Sequence, residues 1–433
     1  MSGHVLKGRL LSFRRRPESV EDEGSYDYFD PGALVIENGK IAWRGHLDAL
    51  PAAYRDLPVT DHGKHLILPG FIDAHTHFPQ MGVIGSYGAQ LMDWLNTYTF
   101  KQEARFEQGD HSQKIAATFL DELLNHGVTT AAVYATSHPG SAASFFEAAQ
   151  ARNMRMIAGK VMMDRSAPED VCDTPQRAYD ESKALIEAWH GSGRLSYAIT
   201  PRFAITSSPA QMEMIQALVL EYPDCYVQTH LSENLFEIEE TLRLYSSAKD
   251  YTGVYERYGL LGPKSLLGHC IHLSDREMGA LRNSGSIAVF CPSSNLFLGS
   301  GLFDYAAMHK AGIRIGFGSD VGAGTSYSML ATAADAYKVC QLKGYSLNPF
   351  ESYYGLTLGN AGAFSMADRI GTLAVGAEAD LVVLDSLATS AMCTRMESAE
   401  SLAEELFVLQ TLGDDRSISQ TYIAGQPSKI KAS

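Results

Sequence analysis

Between residues 66 and 325, short apolar runs alternate with segments whose apolar residues recur every three or four positions. The runs start near Ile67, Thr129, Met156, Ser196, Tyr226, Ser265, Ile287 and Ile313. Their length and β-branched content predict strands, and the spacing between them predicts helices. In 112–126, Ile115, Ala116, Phe119, Leu120, Leu123 and Leu124 share one helical face, and Gly127 stands where a C-terminal cap belongs. In 209–222, Pro209 follows Ser208 at a first-turn position, and Met212, Ile215 and Val219 share a face. Eight strand–helix units in a row predict an α/β fold, a closed (β/α)8 barrel of the TIM type, with an open doubly wound sheet as the competitor.

The chain ends carry a different pattern. Ala33–Ile36, the turn Glu37-Asn38-Gly39-Lys40 and Ile41–Trp43 form a hairpin signal. Ala379–Leu384 and Tyr422–Gln426 look alike at the other end. Residues 1–68 plus 371–433 are therefore expected to form one small β-sandwich-like domain, with the barrel over 69–370. The polar tail from Pro427 is expected to fray.

Composition narrows the function classes. The 433 residues are 45% hydrophobic and 20% charged, which fits a chain with a large core. Acidic residues outnumber basic ones 50 to 35, giving a net charge of −15. A nucleic-acid groove or an anionic membrane surface needs the opposite sign. The one basic run, Arg14-Arg15-Arg16, lies close to Glu21-Asp22-Glu23. No apolar run is long enough to suggest a transmembrane helix, and no secretory signal is visible. The six cysteines contain no CxxC pair, so a cysteine-based zinc site is not expected. Unpaired thiols without a signal point to the cytoplasm.

The chemistry lies at the strand ends. The first run closes Pro69-Gly70-Phe71-Ile72-Asp73-Ala74-His75-Thr76-His77. Residues i and i+2 of a strand face the same side, so His75 and His77 present two imidazoles together. The fifth run leads to His230 and Glu233, the sixth to His269 and the eighth to Asp320. In a TIM-type barrel these positions converge on the C-terminal rim, where active sites are built. Histidines with a carboxylate suit Zn or Fe, and such an ion lowers the pKa of a bound water from about 15.7 toward 7. Glu233 is placed to move a proton, Asp320 to touch the metal and accept a proton, and His269 to orient the attacking oxygen. Among the remaining histidines, His138 could line the mouth, while His111, His126, His190 and His309 are expected to be solvated. Glu237, Glu239 and Glu240 read as a solvated helix face.

The motif around His75 and His77 resembles the amidohydrolase superfamily, metal-dependent hydrolases on a barrel with an appended β domain. No lysine ends strand four, where two-metal members carry one; Lys160 falls within strand three. This favours a one-metal site of the deaminase type. His77-Phe78-Pro79-Gln80, Leu91–Leu95, Thr200-Pro201-Arg202-Phe203, His230–Glu233, Cys291–Leu296 and Ser319–Gly324 together resemble the guanine deaminase family. The resemblance implies one zinc, with iron as an alternative, on His75, His77, His230 and Asp320. It also implies Glu233 as proton shuttle, Gln80 and Arg202 as hydrogen-bond partners of guanine, Phe203 against its ring, Trp94 near the pocket, and a homodimer. A deaminase of 8-oxoguanine, cytosine or a triazine, or an inactive barrel scaffold, are the alternatives.

Overall fold

The computed structural model describes residues 3–88 and 90–430. Eight strands form the barrel: β1 (Phe71–His77), β2 (Val128–Tyr134), β3 (Arg155–Gly159), β4 (Ser196–Pro201), β5 (Tyr226–Leu231), β6 (Ser265–His269), β7 (Ile287–Phe290) and β8 (Arg314–Phe317). Neighbours pair in parallel in chain order from β1 to β8. Helices intervene, as the alternating pattern predicts. Gly109–Asn125 ends before Gly127, whose φ is +78°. Pro209–Glu221 starts on Ser208, whose side chain accepts the Gln211 N–H.

The seam between β8 and β1 is closed by side chains as well as backbone. Asp320 N–H donates to the His75 carbonyl at 2.8 Å. The buried Asn360 amide donates to the carbonyls of Ile72 (2.6 Å) and Phe317 (2.9 Å), while its own oxygen accepts the Phe317 N–H at 2.8 Å. One amide thus satisfies strand groups that would otherwise lie unpaired in the interior.

Strands from both chain ends form one mixed seven-stranded sheet, in the order Gln426–Pro427, Ile418–Ile423, Leu381–Leu384, Val59–Pro69, Gly3–Phe13, Tyr26–Glu37, Lys40–His46. Side chains alternate across it with period two. Leu66, Leu68, Val382 and Leu384 join the barrel's core. Ile67, Leu381 and Val383 join Leu6, Leu34 and Ile41 in a core of the small domain's own. The sheet closes over that core because Ile41 N–H reaches the Ala377 carbonyl and Ala379 N–H the Gly39 carbonyl, both at 2.9 Å.

Three details differ from the sequence expectation. The apolar run starting at Ile67 is two strands, one in the sheet and one in the barrel, broken at Gly70. A Cβ at that position would lie 2.3 Å from Thr129, so the close crossing needs glycine. Within 371–433, helix Leu402–Leu412 packs on the barrel: Gln410 donates to the Ala333 carbonyl and Tyr353 to the Leu406 carbonyl. At the tail, Pro427 is still paired, Lys429 Nζ donates to the Asp415 carbonyl at 2.7 Å, and 431–433 lie outside the described residues.

Candidate active site

His75 and His77 end β1, and both rings enter the barrel mouth. The space for His75 comes from two glycines on other strands. A Cβ at Gly268 would lie 2.8 Å from its ring, and one at Gly318 2.7 Å from its own Cβ. His230 lies near the end of β5, His269 ends β6, and Asp320 follows β8. Three turns here hold non-glycine residues at positive φ: Ser232 (+50°), His269 and Cys270 (+71° and +50°) and Asp320 (+51°). Such backbone is uncommon away from glycine and concentrates at functional sites.

The donor atoms converge. His75 Nε2 lies 3.2 Å from His77 Nε2, and His77 Nε2 lies 3.3 Å from His230 Nε2. Asp320 Oδ1 is 3.3 Å from His75 Nε2 and 3.2 Å from His77 Nε2. An ion bonded to nitrogen and oxygen at about 2.0–2.1 Å in a tetrahedron separates its donors by about 3.3–3.4 Å. These four separations match that spacing, so the cluster is suited to a metal ion such as zinc.

Their protonation fits as well. Burial lowers His77 to about 3. Burial, then the neighbouring His75, His77 and His269, hold His230 well below the ordinary imidazole range. For Asp320, burial pushes upward, but His75 and His77 outweigh it and keep the carboxylate ionised. His230 Nδ1 lies 2.7 Å from the Arg202 carbonyl, which accepts its proton and leaves the Nε2 lone pair facing the cluster. Cys291 also lies beside His75 and Asp320, its thiol directed at the Val289 carbonyl at 3.7 Å.

Asp73 ties the first and last strands together under this cluster. Its Oδ1 accepts N–H groups from His75 (3.1 Å) and Ser319 (3.0 Å), and its other oxygen accepts the Ser319 hydroxyl. The residue preceding Asp320 is thereby anchored to the strand that carries both histidines.

A pocket opens over the donors. Its lining includes Gln80, Trp94, Arg202, Phe203, Glu233 and His269, each singled out from the sequence. Trp94 is buried and donates its indole N–H to the Ser86 carbonyl at 3.1 Å. Glu233 Oε2 is 3.4 Å from His269 Nε2, and its Oε1 accepts the Ser300 hydroxyl at 2.9 Å. Burial, with the charge of Asp320 beside it, pushes Glu233 up to about 8. His269 Nδ1 lies 2.9 Å from Asn295 Oδ1, which orients the ring.

Two acidic residues here escaped the sequence reading. Glu237 is buried, not solvated, and lines the pocket. It accepts the N–H groups of Glu233 (2.8 Å) and Asn234 (3.1 Å) and the Tyr251 hydroxyl (2.7 Å). Burial, then the neighbouring Glu233, push it up to about 7. The signal was the Asn234-to-Glu237 spacing, a capping box at the start of helix Leu235–Leu244. Glu103, on helix Phe100–Ala104, is fully buried against Arg202 and had no local signal. Conversely, His138 does not join the pocket lining; its Nε2 lies 3.1 Å from the Asp170 carbonyl. Lys160 follows β3 and is buried in ion pairs with Asp173 and Glu181, the latter at 3.3 Å.

A parallel barrel with three histidines and an aspartate at its mouth defines the class of metal-dependent hydrolases. The chain belongs to the amidohydrolase family, whose profile matches residues 66–427. Within it, guanine deaminases are the near relatives. The chain is 46% identical to guanine deaminase of Escherichia coli K12, covering 98% of each chain, and 38% identical to a probable guanine deaminase of Deinococcus radiodurans, covering 97% of each. Guanine deaminase of C. acetobutylicum, solved with guanine in its active site, superposes with a TM-score of 0.88 at 29% identity, covering 98% of this chain and 99% of that one.

Proposed function

We propose that the protein is a zinc-dependent guanine deaminase, converting guanine and water to xanthine and ammonia. The observation that carries this reading is a buried arginine and a flat aromatic, Arg202 and Phe203, in the pocket lined by the His77, His230 and Asp320 donors. The relative solved with guanine in its active site supports it.

Arg202 offers N–H donors to the oxo group of a 6-oxopurine, which disfavours adenine. Phe203 packs on the ring face, and Gln80 bonds its edge. His75, His77, His230 and Asp320 would hold the zinc, which supplies Lewis-acid activation of water near neutral pH. Water adds to the carbon bearing the exocyclic amine. Glu233 takes its proton and delivers it to the adjacent ring nitrogen, while His269 and Asp320 orient the oxygen. The proton of the added hydroxyl is then passed through Glu233 to the amine, which leaves as ammonia as the carbonyl of xanthine forms.

The test is turnover by metal-replete protein, followed as xanthine and ammonia together. Turnover of cytosine, a triazine or 8-oxoguanine without turnover of guanine would reject the substrate. Elemental analysis is expected to find about one ion per chain, and its identity decides between zinc and iron. The homodimer and cytoplasmic location that go with this reading are tested by light scattering and by cell fractionation.

A further inference from the structure

The family resemblance implies that Arg202 is a substrate ligand. The structure gives it a buried partner. Nη1 of Arg202 donates to both carboxylate oxygens of Glu103, at 2.9 and 2.8 Å, and both side chains are buried. The same helical turn also carries Phe100, whose ring centroid lies 5.4 Å from the guanidinium carbon. Phe100 and Glu103 are three residues apart, so one helix face clamps the guanidinium by its flat side and its end. Nε and Nη2 have no hydrogen-bond partner among the described residues, and Arg202 lines the pocket.

Glu103 also reaches a second pocket residue. Its Oε1 accepts Gln80 Nε2 at 3.3 Å. This fixes which way the Gln80 amide lies, with the NH2 on Glu103 and the carbonyl oxygen against Gly322. A Cβ at Gly322 would fall 2.0 Å from that oxygen.

We infer that Glu103 is the positioning residue that sets the hydrogen-bonding pattern of the substrate pocket: it holds Arg202 with two donors free and fixes the Gln80 amide with its NH2 on Glu103 and its oxygen beside Gly322. This rests on the reading of Arg202 and Gln80 as substrate contacts. Glu103 acts through those two side chains, and removing its charge leaves a buried guanidinium without its counter-ion. In Glu103→Gln an oxygen kept at the Oε1 position still accepts from Gln80, but the new NH2 then stands against Arg202 Nη1 where Oε2 accepted.

The test is a double-mutant cycle of Glu103→Gln and Arg202→Gln, read by KM and kcat separately on guanine. Product inhibition by xanthine, bound metal and melting temperature are measured beside them. Glu103→Gln is expected to raise KM by about 10-fold to 100-fold, the size of a lost charge-assisted hydrogen bond. It is expected to change kcat by less than about 3-fold and weaken xanthine inhibition in parallel, with metal content unchanged. In the Arg202→Gln background the same substitution is expected to add less than about 2-fold. An unchanged KM, a fall in kcat alone, or an effect undiminished in the Arg202→Gln background overturns the inference. Wild-type turnover of guanine is measured first and alone decides the substrate reading. If another aminated heterocycle is the substrate, the cycle is run on that compound and decides Glu103 in the same way. Should Glu103→Gln fail to fold, Glu103→Asp, which keeps the charge but withdraws it, carries the same expectation for KM.

Discussion

Glu233 shows how much one residue's setting matters. Among the described residues it touches a serine hydroxyl and a histidine nitrogen, and it faces the ionised Asp320. A carboxyl that titrates near neutral pH is suited both to taking up a proton and to passing it on. Glu233→Gln is expected to keep the metal and lower kcat by roughly 10²–10⁴-fold, measured as xanthine formation with metal content as control. The same residue predicts a stability effect in the metal-free protein. Its folded value is raised to about 8 from an ordinary 4.5, so the unfolded chain releases the proton first as pH rises. The stability present below the unfolded value is lost as pH climbs toward 8. Metal-free wild type is therefore expected to melt progressively lower relative to metal-free Glu233→Gln across that window. An unchanged difference would put the carboxyl at an ordinary value.

At the scale of elements, strand ends carry the chemistry and their neighbours fix how they leave the barrel. Asp73 bridges β1 to the turn before Asp320, and the capping box of Asn234 and Glu237 braces the backbone after Glu233. Both residues are ordinary in sequence, and only one, the capping box, has a local spacing rule. The hairpin at Asn38-Gly39 was legible because its turn needs positive φ at both positions, and the observed values are +52° and +75°. The break at Gly70 was not, since the apolar residues run on through it from one sheet into another. The connection before β4 yields a second pH prediction. Tyr197 N–H donates to His190 Nδ1 at 3.1 Å, so the ring must stay unprotonated there, and burial lowers its pKa. Below about 6.5 the unfolded chain takes up the proton first, and stability falls with pH. His190→Gln has no such titration, and the wild type is expected to lose melting temperature relative to it on going from pH 7 to 5. Parallel curves would reject the assignment.

Across the whole molecule, the small sheet is held to the barrel by apolar faces and by ion pairs. Arg155, at the start of β3, donates to Glu378 at 3.0 Å, and Arg194 donates to Glu378 at 2.6 Å and also to Asp380. Arg16 reaches Glu351, and its neighbours Arg14 and Arg15 pair with Asp27 and Asp22. All three arginines of this basic run are thus engaged in ion pairs within the chain. Arg155 is buried, so Glu378→Ala leaves a charge uncompensated. A loss of about 3 kcal/mol is expected, at the low end for buried pairs because Glu378 keeps some exposure. Denaturant melts check this, and a loss under about 0.5 kcal/mol would mean the pair behaves as a surface one. Among the described residues no helix is long and apolar enough to cross a membrane.

The division between sequence and tertiary structure follows from the range of the forces involved. Strand and helix periodicity, the His75 and His77 pair, and the placement of His230, His269 and Asp320 after apolar runs are local features, set by backbone geometry over a few residues. They made the barrel and a candidate donor set legible from sequence alone. What only the folded chain decided is non-local. Arg202 meets Glu103 from 99 residues away. Glu237 leaves water for a carboxylate-lined pocket, Asn360 seals the β8–β1 seam, and the end sheet closes over its own core. Burial and pairing at such separations depend on how elements pack, and no spacing rule along the chain encodes them.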